Sequence, residues 1–122
     1  MRILVVDDSR ISRRAIARIL RKQEDAEIRE AENGSEAVAA YEAERFDLVI
    51  MDLTMPVMSG FDACRAIIAH DPDATIAIVS ADIQPLARAR CKEAGAFTFV
   101  SKPIAPRQID ALVAQARERI AC

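Results

Sequence analysis

Four short apolar runs in this chain end on side chains suited to handling a phosphoryl group or a metal ion. Asp7 and Asp8 follow the first, Asp52 the second, Ser80 the third, and Ser101, Lys102 and Pro103 the fourth. Any one of these aspartates is as readily explained as a helix cap or a turn former. The combination is harder to explain as structure alone. Unit charges ~4 Å apart repel by roughly 4 kcal/mol at an effective dielectric near 20. Gathered carboxylates therefore destabilise a fold, or raise one another's pKa, unless a cation joins them. Lys102 offsets part of that repulsion and a divalent metal offsets more. Mg²⁺ suits the set best, because it prefers oxygen ligands, keeps several waters and commonly binds one or two carboxylates together with a substrate phosphate. No His or Cys stands among these residues, which argues against zinc. With the metal in place, one carboxylate can attack phosphorus and form an aspartyl phosphate. Metal and Lys102 would then neutralise the transferring phosphoryl, and Ser80 would donate a hydrogen bond to one of its oxygens.

Such chemistry needs elements that bring the run ends together. The runs at 3–6, 48–51, 76–79 and 97–100 are short, continuous and rich in β-branched or aromatic residues, as expected of strands buried on both faces of a parallel sheet. Residues 28–31 form a weaker run that suits an edge strand. Segments of helical spacing separate them. Ile11, Ala15, Ile16, Ile19 and Leu20 predict one apolar stripe, with Arg13, Arg14, Arg18 and Arg21 mostly off it. Asn33 with Glu36, and Ser59 with Asp62, read as helix starts, while Asp71-Pro72 reads as a stop. Pro85 suits a first helical turn and Gly95 a stop, and Pro85 leaves residues 81–84 as an extended loop. Ile109, Leu112, Val113, Ala116 and Ile120 predict the last helix. Strand then helix, repeated to the end of the chain, predicts an open, doubly wound α/β sheet with helices on both faces. Ligands of such sheets bind outside the carboxyl ends of the strands, where the acidic residues fall.

Composition is compatible with this plan. The 122 residues suit one domain, and an apolar fraction of 52% predicts a packed core. A formal charge of −2 implies no broad field for nucleic acid. No apolar run approaches the ~20 residues of a membrane span, and the start turns acidic at Asp7, too soon for a secretory signal. Cys64, Cys91 and Cys122 form no CxxC pair and read as free thiols in a reducing compartment, which makes the cytoplasm the expected location.

The same residues resemble the receiver domains of bacterial two-component response regulators, the chemotaxis regulators in particular. The likeness lies in Ile3-Leu4-Val5-Val6-Asp7-Asp8-Ser9, in the stretch from Asp47 through Asp52 to Thr54-Met55-Pro56 with Met58-Ser59-Gly60, in Ile78-Val79-Ser80-Ala81, and in the stretch from Gly95 to Ser101-Lys102-Pro103. Order and spacing are close to the family's, and the likeness covers nearly the whole chain, 1–122, as one receiver. It implies a flavodoxin-like (βα)5 fold with strand order 2-1-3-4-5. Carried over position by position, it implies that Asp52 is the phosphoacceptor and that Asp7 and Asp8 serve Mg²⁺, with the Thr54 backbone carbonyl as a further ligand. Ser80 matches the switch hydroxyl, Lys102 the family lysine and Phe99 the switch aromatic. The Lys102–Pro103 bond is expected to be cis by the same likeness. Thr54 and Asp82 stand where the family varies the lifetime of its phosphorylated state.

The implied function is a switch that catalyses only its own phosphorylation from phosphohistidine and its own dephosphorylation. The upstream partner is a histidine kinase or a histidine phosphotransfer protein. Downstream lies a protein target or a fused effector, with the domain a monomer or a phosphorylation-dependent dimer that contacts neither nucleic acid nor membrane. Arg10, Arg13 and Arg14 are candidate docking residues for an acidic partner, and Arg88, Arg90, Lys92 and Arg107 are candidates for an output face. Rival readings each lack a feature. An independent aspartyl phosphatase would need room for a cap. A nucleotide or flavin module would carry glycines after the first strand, where Asp7-Asp8-Ser9-Arg10 stands. A degenerate receiver would lack an acid, the acceptor or the lysine.

Overall fold

The computed structural model describes residues 1–82 and 84–121. The part of the expected 81–84 loop that falls on Ile83, and the reading of Cys122 as a free thiol, lie outside the described residues. Five strands, β1 (Arg2–Val6), β2 (Glu27–Ala31), β3 (Leu48–Asp52), β4 (Ile76–Ser80) and β5 (Thr98–Ser101), alternate with five helices, α1 (Arg10–Leu20), α2 (Gly34–Ala43), α3 (Gly60–His70), α4 (Pro85–Glu93) and α5 (Pro106–Ala121). All neighbouring strands pair in parallel, in the order β2-β1-β3-β4-β5. This is the doubly wound arrangement that the strand–helix alternation predicts, in the strand order that the family resemblance implies.

Alternation along each strand builds two cores. Leu4, Val6, Val49, Met51, Ile76 and Ile78 face Ala37, Tyr41, Ala63, Cys64, Ile67 and Cys91 from α2, α3 and α4. Their neighbours Ile3, Val5, Leu48, Ile50, Ala77 and Val79 face Ile16, Leu20, Ile109, Leu112, Val113 and Ala116 from α1 and α5. A strand with helices on both sides has no wet face, which is why the runs in the sequence are continuous rather than alternating.

Caps set where the helices begin. Ser9, Asn33 and Ser59 accept hydrogen bonds from the backbone N–H groups of Ser12, Glu36 and Asp62, so each helix starts directly above a strand end. At the far end of α4, Gly95 turns the chain at φ 99°.

Three expectations shift. Phe97 precedes β5 rather than opening it; the residue is 38% exposed, with the Arg119 guanidinium 4.7 Å from its ring centre. Ile120 is 56% exposed on the last turn of α5. The stripe on α1 has a different phase. Its buried positions are Arg13, Ile16, Ala17 and Leu20, while Ile11 is 86% exposed and Ala15 lies on the surface. An i, i+3, i+4, i+7 row starting at residue 13 leaves residues 11 and 15 on other faces of the 3.6-residue turn.

Candidate functional site

The carboxyl ends of β1, β3, β4 and β5 meet at one edge of the sheet. Asp7, one residue past β1, continues its line by donating its N–H to the Ala31 carbonyl at 3.2 Å. Its carboxylate is buried and takes two donors, the Ser9 N–H at 2.9 Å on Oδ1 and the Lys102 ammonium at 3.1 Å on Oδ2. Asp52, the last residue of β3, lies 3.5 Å from the same ammonium and is 9% exposed. Asp8 is on the surface, yet one carboxylate oxygen from each of Asp7, Asp8 and Asp52 falls within 4.8 Å of the others. An all-oxygen set of this charge and spacing suits a hard divalent cation and offers nothing to zinc.

Burial leaves its mark on Asp52 and on Lys102. Desolvation raises the pKa of Asp52, Lys102 pulls it back, and the neighbouring Asp7 and Asp8 push it up again, for a net rise. Burial acts against the charge on Lys102, but the Asp7 and Asp52 carboxylates outweigh it and hold its pKa above the usual lysine range.

Two further groups sit at this edge. Ser80 is buried, and its hydroxyl oxygen accepts the Asp82 N–H at 3.0 Å, while the Asp82 carboxylate accepts the Gln84 N–H at 3.0 Å. Phe99 is half-buried against the core beneath α4, with the Arg88 guanidinium 4.9 Å above its ring. The Lys102–Pro103 peptide is cis. Thr54 is exposed in the loop between β3 and α3. In that loop Met58 donates its N–H to the Pro56 carbonyl at 2.8 Å around Val57, a β-branched residue at φ 71°. This is a γ-turn with a central residue in a region that disfavours branched side chains.

The docking candidates divide. Arg10 and Arg14 are exposed. Arg13 is buried at 6% exposure, so its reading as a surface docking residue is corrected. It occupies an inward position of α1 and spends its donors on Glu30 and on the Asp7 carbonyl. Helical spacing alone could not reveal this, because an arginine in an apolar row looks like a phase error until its partners just past β1 and on β2 are known.

The model of the response regulator receiver domain matches residues 3–114. The chain belongs to the response regulator receiver family. Among curated relatives of this receiver, the chemotaxis protein CheY of Thermotoga maritima is 40% identical over 108 residues, covering 88% of this chain and 90% of that one. Among solved structures, a CheY-like receiver domain protein from Methanospirillum hungatei superposes with a TM-score of 0.91 at 26% identity, over 98% of this chain and 96% of that one. A chain of the CheX–CheY–BeF3–Mg²⁺ complex from Borrelia burgdorferi superposes with a TM-score of 0.88 at 29% identity, over 96% of this chain and 89% of that one. The receiver is thus a signalling switch of two-component systems, and its acidic pocket can bind a metal. Among the described residues no helix is long and apolar enough to cross a membrane.

Lys102 is the cation shared by Asp7 and Asp52. Its removal by Lys102→Ala leaves like charges facing one another at a largely buried edge. The receiver should lose about 1 kcal/mol of unfolding free energy in EDTA, a figure kept low because the lysine side chain is 25% exposed. Mg²⁺ should restore most of the loss. Urea melts with and without the metal check this, and equal losses in both would remove the electrostatic explanation.

Proposed function

We propose that Asp52 is the phosphoacceptor of this receiver, with Asp7, Asp8 and the Thr54 carbonyl completing a Mg²⁺ site. The supporting observation is the convergence of Asp7, Asp8 and Asp52 within 4.8 Å beside a single ammonium group at the carboxyl edge of the sheet. When bound, Mg²⁺ supplies charge neutralisation for the phosphoryl oxygens during transfer.

The remaining roles follow from the chain's own groups. An Asp52 carboxylate oxygen attacks the phosphorus of a phosphohistidine, the new O–P bond forms as the P–N bond breaks, and the imidazole nitrogen leaves with the electron pair. Lys102 already bridges Asp7 and Asp52, so it needs little movement to pair with the added phosphoryl. Because Ser80 Oγ accepts from the Asp82 N–H, its own proton remains to donate to a phosphoryl oxygen. Drawing Ser80 and the loop after β4 toward the acceptor changes the bed on which Phe99 and Arg88 rest, and this shifts the populations of the α4-β5-α5 face. Hydrolysis of the acyl phosphate in the same pocket resets the switch, with Thr54 and Asp82 beside the path of the water. The decisive test is labelling from a small phosphodonor. An acid-labile label should appear on the intact protein with Mg²⁺ and be absent in EDTA; a label indifferent to the metal would overturn the reading.

The phosphodonor partner, a histidine kinase or histidine phosphotransfer protein, meets the receiver beside this edge. A groove of about 380 Å³ runs between α1 and the segment after β5, lined by Ala15, Ile16, Ile19, Lys102, Pro103 and Ile104. Arg10 and Arg14 stand on the same helix and favour an acidic partner. The double charge reversal Arg10→Glu, Arg14→Glu should slow transfer from the cognate partner by about 10-fold or more at low salt, yet leave labelling by acetyl phosphate unchanged. Equal slowing with both donors would place these arginines in the chemistry rather than in docking. Downstream, the receiver controls a protein target or a fused effector through α4, β5 and α5.

A further inference from the structure

Arg13 lies outside the phosphorylation chemistry and still touches its most buried acid. The side chain reaches from α1 back beneath the end of β1, where Nη1 donates to the Asp7 carbonyl oxygen at 2.9 Å. Nε donates to Glu30 Oε1 on β2 at 2.9 Å, and Nη2 lies 3.9 Å from Glu32.

Two observations make this more than a buried ion pair. First, residue 13 belongs to the inward row of α1 with Ile16, Ala17 and Leu20. An apolar side chain there would complete the row, and replacing a buried ion pair by well-packed apolar residues is often neutral or stabilising. Stability alone therefore does not call for arginine. Second, Asp7 stands one residue past the ladder that pairs β1 with β2 and β3, so its buried carbonyl needs a donor from elsewhere. Arg13 supplies it. Every polar atom of Asp7 is then engaged: N–H with Ala31, carbonyl with Arg13, Oδ1 with the Ser9 N–H and Oδ2 with Lys102.

We propose that Arg13 is a positioning residue: by clamping the Asp7 carbonyl against Glu30, its guanidinium fixes the Asp7–Asp8 peptide plane and so holds both carboxylates where, with Asp52, they receive the divalent cation. This rests on the metal reading of the acidic edge. Releasing the carbonyl lets that peptide rotate, which carries the exposed Asp8 carboxylate away from Asp52. The fork of a guanidinium is needed, because a single ammonium cannot bridge a carbonyl and a carboxylate in the same fixed geometry.

The test is Mg²⁺ affinity, read from amide chemical shifts of the edge during titration and independent of phosphorylation. Arg13→Gln should weaken Mg²⁺ binding by about 10- to 100-fold, the usual effect of removing a group that orients a metal ligand. Arg13→Lys should fall between it and the parent, and it carries the test should Arg13→Gln fail to fold. Tyr41→Phe serves as the stability control, since it removes a 2.7 Å hydrogen bond to Asp71, which lies beyond the end of α3, and should leave the affinity alone. The inference is overturned if the folded Arg13 variants bind Mg²⁺ within about 3-fold of the parent, a change well under the range for such groups, or if Tyr41→Phe loses affinity equally. A parent protein whose edge amides do not respond to Mg²⁺ would instead refute the metal reading, and this inference with it.

Discussion

Asp52→Asn will take up no acid-labile phosphoryl label from acetyl phosphate under conditions that label the parent protein to completion. The amide replaces the only nucleophilic oxygen pair at the end of β3 with a group that cannot form an acyl phosphate. The same substitution should also change stability, with a sign fixed by the raised pKa of Asp52. Because burial and the neighbouring acids raise that pKa in the folded state, the native protein holds the Asp52 proton more tightly than the unfolded chain does. The contribution of Asp52 to stability is therefore fully present below the ordinary carboxylate pKa and is lost as pH rises through the raised folded value. Near pH 7 in EDTA, Asp52→Asn should melt higher than the parent, and the gain should shrink as the solution is taken down toward pH ~4. Mg²⁺ should narrow the difference from the other side, because a ligand that binds only the native parent stabilises it by mass action. Labelling of the variant, or a parent that is the more stable of the two at neutral pH, would remove Asp52 from the centre of the site.

Gly60→Ala is expected to destabilise the fold by about 1–2 kcal/mol and to slow labelling of Asp52. Gly60 opens α3 directly against the end of β3, and its N–H donates to the Leu53 carbonyl at 2.8 Å. A methyl group there would collide with the Asp52 carbonyl oxygen and stand 2.9 Å from the Leu53 Cα. Both obstacles are backbone, so neither can swing aside as a flexible side chain would. Alanine is the better helix former by up to about 1 kcal/mol, but overpacking against immovable atoms costs typically 1–3 kcal/mol and occasionally more. The strand end must yield, and it carries the acceptor. Urea unfolding gives the stability term, and the initial rate of labelling from acetyl phosphate gives the functional one. Wild-type values for both would mean that the approach of α3 to β3 is looser than the structure shows.

Much of the receiver was legible in residue order. Continuous apolar runs identified strands covered on both faces, and Asn33 and Ser59 mark the caps from which two helices start. The acids and the lysine could be read as one set because parallel strands deliver their carboxyl ends to a common edge. Legibility failed where a side chain acts across elements. Arg13 reads as one of several surface cations on α1, and nothing near it in sequence announces Glu30 or the Asp7 carbonyl. Ile11 and Ile120 read as core because their spacing fits a helix, whereas Ile11 falls off the inward row through Arg13, Ile16, Ala17 and Leu20, and Ile120 stands exposed on the last turn of α5. Val57 gives no sign in sequence of a positive φ.

Local sequence thus determines what depends on periodicity and on short-range hydrogen bonding: the kind and order of the elements, their starts, and the residue types offered at each strand end. The pairing order of the strands, the phase of α1 and the distances among Asp7, Asp8, Asp52 and Lys102 arise only when five strands share one edge. Charge repulsion, desolvation and the reach of a guanidinium act through space, over a few ångströms, between residues up to 95 positions apart in the chain.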